Sequence, residues 1–183
     1  MKVGLTQRVL THNGQVHDSL DHNWYQFLKG HELIPIPNRE DLDYESLAES
    51  LDLLIITGGD NDKIRIITEV SLITEMSKLG KPMLGICHGA FLLTEMLGGS
   101  TKDCEVHYGT KHLVYGNAPT HREVNSFHDI CIDKLPPNSV YLYIDDEGNT
   151  ESWIKDNICA IVWHPERMSR PFIPNEIKEV TGL

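Results

Sequence analysis

No stretch of this chain is apolar for long enough to cross a bilayer. Its longest hydrophobic runs, such as residues 51–56, are far shorter than the roughly 20 residues that a transmembrane helix needs. Residues 1–8 are typical of a first strand and lack the apolar core of a secretory signal. We therefore expect a cytoplasmic protein that has no membrane partner.

Basic residues are scarce relative to acidic ones. The chain has 16 Lys and Arg against 27 Asp and Glu, which gives a net charge of −11. Such a charge disfavours non-specific binding to nucleic acid or to an anionic membrane. A small anionic substrate remains compatible with it, because a few local cations are enough to bind one. We expect no nucleic-acid partner.

Paired cysteines and metal-binding histidine motifs are also missing. The four cysteines lie at 87, 104, 131 and 159 without a C-x-x-C pair, and we expect them to stand singly. Free thiols suit a reducing compartment. The ten histidines include neither H-x-x-x-H nor H-E-x-x-H. The sequence therefore predicts no metal and no cofactor.

The first half of the chain alternates between apolar strand patterns and helical patterns. Strands are predicted at 3–6, 33–36, 53–57 and 83–86, and helices at 19–29, 45–50, 63–79 and 90–97. This alternation is typical of βαβ units with a parallel sheet that is covered on both faces. At 183 residues, the chain fits a single domain, 1–183, with an α/β three-layer sandwich fold.

Short β-like segments replace this alternation in the second half. They lie at 113–115, 122–124, 130–132, 140–143, 150–154 and 158–163. Turn signals separate them, including Gly116-Asn117, the Pro-Pro-Asn at 136–138 and the Glu-Gly-Asn at 147–149. We expect antiparallel strands added to the central, mostly parallel sheet. The tail from Pro171 is either a final helical turn or a loosely held end.

The most informative motif is the pentapeptide G-I-C-H-G at residues 85–89. It lies between a short apolar strand and a predicted helix, as the cysteine form of a nucleophile elbow does. The glycines allow a sharp turn that holds Cys87 at its tip. The helix N-terminus behind the sulfur favours a thiolate. The motif predicts an enzyme with Cys87 as nucleophile.

A base for this nucleophile is predicted where the last apolar strand ends. Residues 158–163 run directly into His164-Pro165-Glu166, where the proline ends the strand. His164 and Glu166 are two residues apart in an extended segment and project from the same edge. Glu166 can then accept the imidazole N–H and orient His164, as the third member of a catalytic triad does.

A double glycine closes another buried strand, at Thr57-Gly58-Gly59-Asp60. Backbone N–H groups are exposed at such strand ends, and open α/β folds place their sites there. The N–H groups of Gly59 and His88 are therefore predicted to form an oxyanion hole.

Together these motifs resemble the class I glutamine amidotransferase family, and its γ-glutamyl hydrolase-like branch in particular. The resemblance covers nearly the whole chain. It includes the nucleophile segment at 80–89 with the Leu-Gly-Gly at 97–99, the Thr-Gly-Gly-Asp at 57–60, the Val-Asn-Ser-Phe-His at 124–128 and the Trp-His-Pro-Glu at 163–166.

The resemblance implies covalent hydrolysis of a γ-glutamyl amide. Cys87 would attack the γ-carbonyl, and the N–H groups of Gly59 and His88 would hold the oxyanion. His164, oriented by Glu166, would protonate the departing amine and then activate water against the thioester. Glutamate and an amine-bearing molecule would be the products.

The resemblance also implies the residues that bind the substrate. Gly58, Asn125, Ser126 and His128 would lie near its glutamyl end. Family members carry a glutamine where this chain has Phe91, and the family position of the His88 side chain is variable, which favours a solvent-facing bystander.

Within the branch, the chain is similar to small hydrolases that act on γ-glutamyl-CDP-amidate in the biosynthesis of capsule polysaccharide. For such a substrate Arg8, Arg167 or Arg170 would meet the phosphates, since guanidinium groups pair well with phosphoryl oxygens. A γ-glutamyl polyamine is an equally simple substrate.

Two other functions stay open at this point. The chain could be a glutaminase subunit that delivers ammonia to a separate synthetase, or it could be a non-enzymatic thiol sensor or binding module.

Overall fold

A computed structural model describes residues 1–116 and 121–183, except for the side chains of residues 105–107. In chain order the strands are β1 (Lys2–Thr6), β2 (Arg8–His12), β3 (Gln15–Ser19), β4 (Glu32–Ile36), β5 (Leu53–Ile56), β6 (Met83–Ile86), β7 (Ser100–Gly116), β8 (His121–Lys134), β9 (Val140–Ile144), β10 (Thr150–Lys155) and β11 (Ile158–Ile161). The helices are α1 (Asn23–Phe27), α2 (Tyr44–Ser50), α3 (Lys63–Lys78), α4 (His88–Met96) and α5 (Asn175–Thr181), and a short 3-10 turn covers Pro165–Arg167.

The central sheet has a parallel half and an antiparallel half. Its strand order is β4-β1-β5-β6-β11-β10-β8-β7-β9, and the first five strands in this order pair in parallel. Strands β5, β6 and β11 are buried along their whole length, as strands covered on both faces are. The predicted α/β fold, with helices flanking a mostly parallel sheet and antiparallel strands added later, is confirmed.

The second half contains longer strands than the sequence predicts. The segments predicted at 113–115, 122–124 and 130–132 belong to β7 and β8, which pair from Ser100–Lys134 to Tyr115–His121. Irregular register between residues 103 and 107 and between 108 and 110 breaks the alternation of polar and apolar residues. The turn predicted at Gly116-Asn117 extends into residues 117–120, outside the described part of the chain.

The helix predicted at 19–29 is mostly wrong. Only the five residues of α1 are helical there, and β2 and β3 form a hairpin before it. The hairpin turns at Asn13 and Gly14, whose φ angles are 50° and 74°. Asn-Gly is the residue pair that the tight turn of a two-residue hairpin favours.

The tail ends in a helix. Ile177 of α5 is buried, and Gly182 ends the helix with a φ of 73°, as C-terminal glycines do. Within residues 1–116 and 121–183, no helix combines the length and the apolarity required to cross a membrane.

Candidate active site

The nucleophile elbow forms at the predicted place, between β6 and α4. Cys87 has φ 51° and ψ −106°, a strained conformation for a residue with a side chain. The turn is also tightly packed, because a Cβ on Gly85 would collide with the carbonyl of Gly89, and a Cβ on Gly89 with that of Ile56. Both glycines are therefore needed for the elbow to close.

Burial disfavours the thiolate form of Cys87. The residue is 7% exposed, and burial raises the pKa of the thiol to about 12. The His88 backbone N–H donates a hydrogen bond to the sulfur, and the charge of Arg167 also favours the thiolate, but together they do not offset burial. The first N–H of α4 therefore favours the thiolate, as expected, but burial outweighs its effect on the pKa. Deprotonation needs a base.

The candidate base is positioned by a short hydrogen bond. His164 lies just beyond β11, and its Nδ1 is 2.7 Å from Glu166 Oε1. A carboxylate only accepts, so the proton lies on Nδ1 and the Nε2 lone pair remains available. Both side chains are buried.

Asn125 fixes the backbone of His164. The His164 N–H donates to Asn125 Oδ1 at 2.8 Å, and Asn125 Nδ2 donates to the His164 carbonyl at 2.9 Å. The Phe127 ring meets the imidazole edge to face, with 5.5 Å between ring centroids. Asn125, which the sequence assigns to the substrate, thus bonds to the candidate base.

The absence of side chains at Gly58 and Gly59 leaves space for the His164 imidazole and for two arginine side chains. A Cβ on Gly58 would collide with Cε1 of His164. Gly59 has a φ of 139°, and a Cβ there would collide with the side chains of Arg8 and Arg65. The strand end therefore approaches the imidazole and the two cations closely because it has no side chains.

One cavity of about 510 Å³ brings most of the predicted residues together. Arg8, Gly59, Cys87, His88, His128, His164 and Arg167 all line it. Gly58, Asn125, Ser126 and Glu166 are not in this lining. Phe127, from the 124–128 segment that carries the resemblance, also lines it. Sequence reasoning gave no role to the further lining residues Leu92 and Glu95 of α4 and Tyr108, Asp129 and Ile130 of the β7–β8 hairpin.

The side chain of His88 is not a solvent-facing bystander. It is 6% exposed, and its Nε2 is 2.6 Å from Glu69 Oε2 of α3. Burial raises the pKa of Glu69, but the hydrogen bond with His88 and the charge of Arg65 together lower it by more. The pKa of Glu69 therefore lies below its usual value. Glu69 is therefore a buried carboxylate directly behind the elbow.

The substrate-facing residues differ in their surroundings. Ser126 is fully buried, and its hydroxyl has no hydrogen-bond partner among the described residues. His128 Nδ1 is 3.0 Å from the Ile130 carbonyl, and its Nε2 is 3.7 Å from Glu151 Oε1. The Phe91 ring lies 6.1 Å from the His128 ring. Phe91, at the position for which the resemblance implies a glutamine, therefore contributes to an aromatic pair.

Two of the three predicted cations reach the cavity. Arg8 pairs with Asp21 at 3.7 Å. Arg167 Nε is 3.4 Å from Glu166 Oε1, and its guanidinium lies 4.9 Å from the centre of the Phe127 ring. Arg170 is exposed and does not line the cavity. Arg8 and Arg167 thus remain as candidates to contact an anionic part of a ligand.

The expectation that all four cysteines stand singly is wrong. Cys104 of β7 and Cys131 of β8 form a disulfide, 27 residues apart in sequence. Their sulfurs and a ring nitrogen of His128 lie within 4.8 Å of one another, but sulfurs bonded to each other are not thiolate ligands. Cys159 is free and buried, and burial raises its pKa to about 12.

Alkylation of Cys87 by iodoacetamide is expected to accelerate about tenfold per pH unit between about pH 6 and 9. A thiol with a pKa of about 12 stays largely protonated over this range, and only the thiolate reacts. The rate is measured by mass spectrometry. The rate measured for Cys87→Ala is subtracted, because it reports the reaction at the other cysteines. A plateau below about pH 8 would contradict the prediction and indicate a thiolate–imidazolium pair.

Known proteins resemble this chain along most of its length. The profile of the family described as glutamine amidotransferase class-I matches residues 9–180. The γ-glutamyl-CDP-amidate hydrolase of Campylobacter jejuni is 26% identical, over 91% of this chain and 90% of that protein. Anthranilate synthase component 2 of Lactococcus lactis is 24% identical over 82% of each chain.

A solved structure shares the fold. A glutamine amidotransferase from Thermotoga maritima superposes with a TM-score of 0.71 at 17% identity, over 90% of this chain and 76% of the other. The match to residues 9–180 is the finding that decides the family. The chain belongs to the class I glutamine amidotransferase family.

Proposed function

We propose that this protein is a cysteine hydrolase that cleaves a γ-glutamyl amide and releases glutamate and an amine-bearing product. The observation that carries the proposal is the hydrogen bond between His164 and Glu166. The imidazole of His164 lines the same cavity as Cys87, whose backbone is strained and whose thiol pKa is raised by burial. A buried thiol beside an oriented base is the arrangement that nucleophilic catalysis needs. The reaction consumes water and needs no cofactor.

The first half of the reaction forms a thioester. His164 Nε2 takes the proton of Cys87 as the sulfur attacks the γ-carbonyl carbon, and the N–H groups of Gly59 and His88 stabilise the oxyanion. When the C–N bond breaks, the imidazolium gives its proton to the departing amine. Glu166 stabilises the imidazolium throughout.

Water completes the cycle. His164 deprotonates a water molecule as it attacks the glutamyl thioester. The second tetrahedral oxyanion forms in the same site, and the C–S bond breaks. The proton returns from His164 to the leaving sulfur, so Cys87 is a neutral thiol again and free glutamate leaves the cavity.

The substrate is proposed to be a γ-glutamyl nucleotide amidate, with γ-glutamyl-CDP-amidate as the first candidate. Two observations support it. The relative from Campylobacter jejuni carries that activity in its name and aligns along nearly its full length. Arg8 and Arg167 bring two guanidinium groups to the cavity, and these groups suit phosphates. We propose that the reaction takes place in the cytoplasm.

A glutamate-release assay tests the proposal. L-glutamine, a γ-glutamyl polyamine and γ-glutamyl-CDP-amidate are compared at equal concentrations, with Cys87→Ala as the blank. Strong preference for the nucleotide amidate supports the full proposal. Preference for the polyamine would support the hydrolase activity but contradict a nucleotide amidate as the substrate. Absence of turnover on all three contradicts the enzyme and favours a thiol sensor or binding module.

A second candidate is a glutaminase subunit that delivers ammonia to a separate synthetase. The likeness to anthranilate synthase component 2, over 82% of both chains, is the observation that favours it. This alternative predicts slow release of glutamate from glutamine only, with stimulation by a partner enzyme. The substrate comparison above separates the two candidates, because a stand-alone hydrolase reaches full activity without a partner.

Arg8→Met is expected to lower kcat/KM for the nucleotide amidate by roughly 10- to 100-fold, the range for losing a charge-assisted hydrogen bond. Methionine keeps much of the aliphatic stem that packs beside Gly59 but removes the charge. Turnover of a phosphate-free γ-glutamyl amide should change less than about threefold. Arg170→Met, which removes an exposed cation outside the cavity lining, is the control. Equal losses on both substrates would contradict a phosphate-binding role.

A further inference from the structure

We propose that Arg65 and Glu69 of α3 are positioning residues that hold the two halves of the oxyanion hole, the Gly59 strand end and the His88 N–H, in one fixed arrangement. The inference rests on the chemistry of the proposed function, since it assigns a role in stabilising an oxyanion. Neither side chain needs to touch the substrate. Their action passes through the backbone of the double glycine and through the imidazole of His88.

Arg65 fixes the strand half. Its guanidinium donates to the backbone carbonyls of Thr57, Gly58 and Asp60, the residues around Gly59. The side chain is fully buried, and its Nη1 lies 2.5 Å from the position that a Cβ on Gly59 would take. One planar group with several donors thus bonds three backbone carbonyls on both sides of Gly59, whose backbone is otherwise free to rotate.

Glu69 fixes the helix half. Its Oε2 lies 2.6 Å from His88 Nε2, and His88 is the first residue of α4. The His88 backbone N–H is the group that donates to the Cys87 sulfur. Anchoring this side chain therefore fixes the peptide that carries a predicted oxyanion donor.

The two halves are joined through the one carboxylate group of Glu69, whose Oε2 meets His88 and whose Oε1 meets the strand side. Glu69 Oε1 accepts from Arg65 Nε at 2.9 Å and from Thr6 Oγ1 at 2.7 Å. Thr6 Oγ1 in turn accepts from the Thr57 N–H at 3.0 Å. A shift of the strand end relative to the elbow would break hydrogen bonds in a buried network, where unpaired polar groups are costly.

The charges are balanced within this network. The Arg65–Glu69 pair is an i,i+4 pair with both side chains at 0% exposure. Buried ion pairs contribute little net stability, because desolvation offsets most of their attraction. A buried ion pair can instead serve to hold a reactive site in one geometry, which accounts for its presence despite the cost of desolvation. The structure thus gives a reason for charged residues in the interior of α3.

The test compares two reactions of the same sulfur. In acylation by p-nitrophenyl acetate, the Cys87 sulfur gives its proton to His164 and adds to the carbonyl carbon, which forms a tetrahedral oxyanion. This intermediate then collapses, the C–O bond breaks, and p-nitrophenolate leaves an acetyl thioester on the sulfur. Alkylation by iodoacetamide displaces iodide at a methylene carbon and creates no oxyanion. The first reaction needs the oxyanion hole, and the second reports only on the thiol and its base.

Glu69→Gln is expected to slow acylation about 10- to 100-fold, a partial loss compared with deletion of an oxyanion donor. Alkylation should change less than about twofold. The matched control is Glu75→Gln, which removes the carboxylate of the exposed Lys78–Glu75 pair from the same helix and should change neither rate. If Glu69→Gln slowed both reactions equally, or neither, the positioning role would be overturned.

Arg65→Lys keeps the inference testable if Glu69→Gln fails to fold. Lysine retains the buried charge next to Glu69 but cannot bond three carbonyls and the carboxylate at once. The same selective loss of acylation is expected, with kcat for any turned-over substrate falling and KM nearly unchanged. Both probes lack a γ-glutamyl group. A wild-type protein that is inert to γ-glutamyl amides would therefore overturn the proposed function while the acylation ratio still decides this inference.

Discussion

Cys87→Ala is expected to abolish the release of glutamate from every γ-glutamyl amide. The mechanism has no other nucleophile, since a water molecule activated by His164 would lack the covalent step that divides the barrier. Losses of this kind reach factors of about 10⁶ for the nucleophiles of other hydrolases. The measurement is steady-state glutamate release at high enzyme concentration.

The fold should survive this change. Alanine occupies the same left-handed conformation as Cys87 at similar cost, so the midpoint of thermal unfolding should shift by only a few degrees. Cys159→Ala is the control, because it removes the other free, buried thiol and should retain activity. Residual turnover above about one per cent in Cys87→Ala would rule out the covalent mechanism.

His164→Asn is expected to lower kcat by about 10²- to 10⁴-fold, the usual contribution of a general acid–base. The effect should be near the upper limit, because a thiol whose pKa is about 12 depends on its base. Asparagine keeps the backbone hydrogen bonds to Asn125 and fits beside Gly58. The limb of the pH–rate profile that reports the imidazole should disappear together with the rate.

His12→Asn is a suitable comparison for this variant. It removes an imidazole from the exposed β2–β3 hairpin, away from the cavity lining. Its kcat should equal that of the unmodified protein. A decrease of less than tenfold in His164→Asn, with an unchanged pH profile, would show that another group acts as the base.

The parallel half of the fold was predictable because its signals are local. Uninterrupted apolar runs such as β5 and β11 identify strands buried on both faces. The elbow at Cys87 is equally local, since its two glycines are required by contacts within a few residues of the turn and with the adjacent strand. His164 was predictable because Pro165, directly after it, marks the end of an apolar strand.

The long β7–β8 hairpin was not predictable in this way. Its irregular register shifts side chains from one face to the other, so the pattern of alternation is lost after a few residues. Tyr108 and Ile130 consequently line the cavity without a sequence signal that assigns them to it. The pairing of Cys104 with Cys131 depends on the same register and has no signature in their spacing.

Arg65 and Glu69 were missed for a different reason. An arginine and a glutamate four residues apart on a helix are typical of an exposed ion pair. Only the tertiary structure shows that this pair faces the double glycine and the elbow. The glutamate bonded to His88 could have been found from one weak signal, the apolar residues Ile66, Leu72 and Ile73 one turn away from it in α3.

The Cys104–Cys131 disulfide sets a condition on how the protein is handled at the bench. A thiol reductant added to keep Cys87 active also opens the bond between the two strands that carry much of the cavity wall. For a loop of 27 residues, that bond is worth on the order of 3 kcal/mol. Activity and thermal stability therefore refer to a defined molecule only when the buffer's redox potential is stated with them.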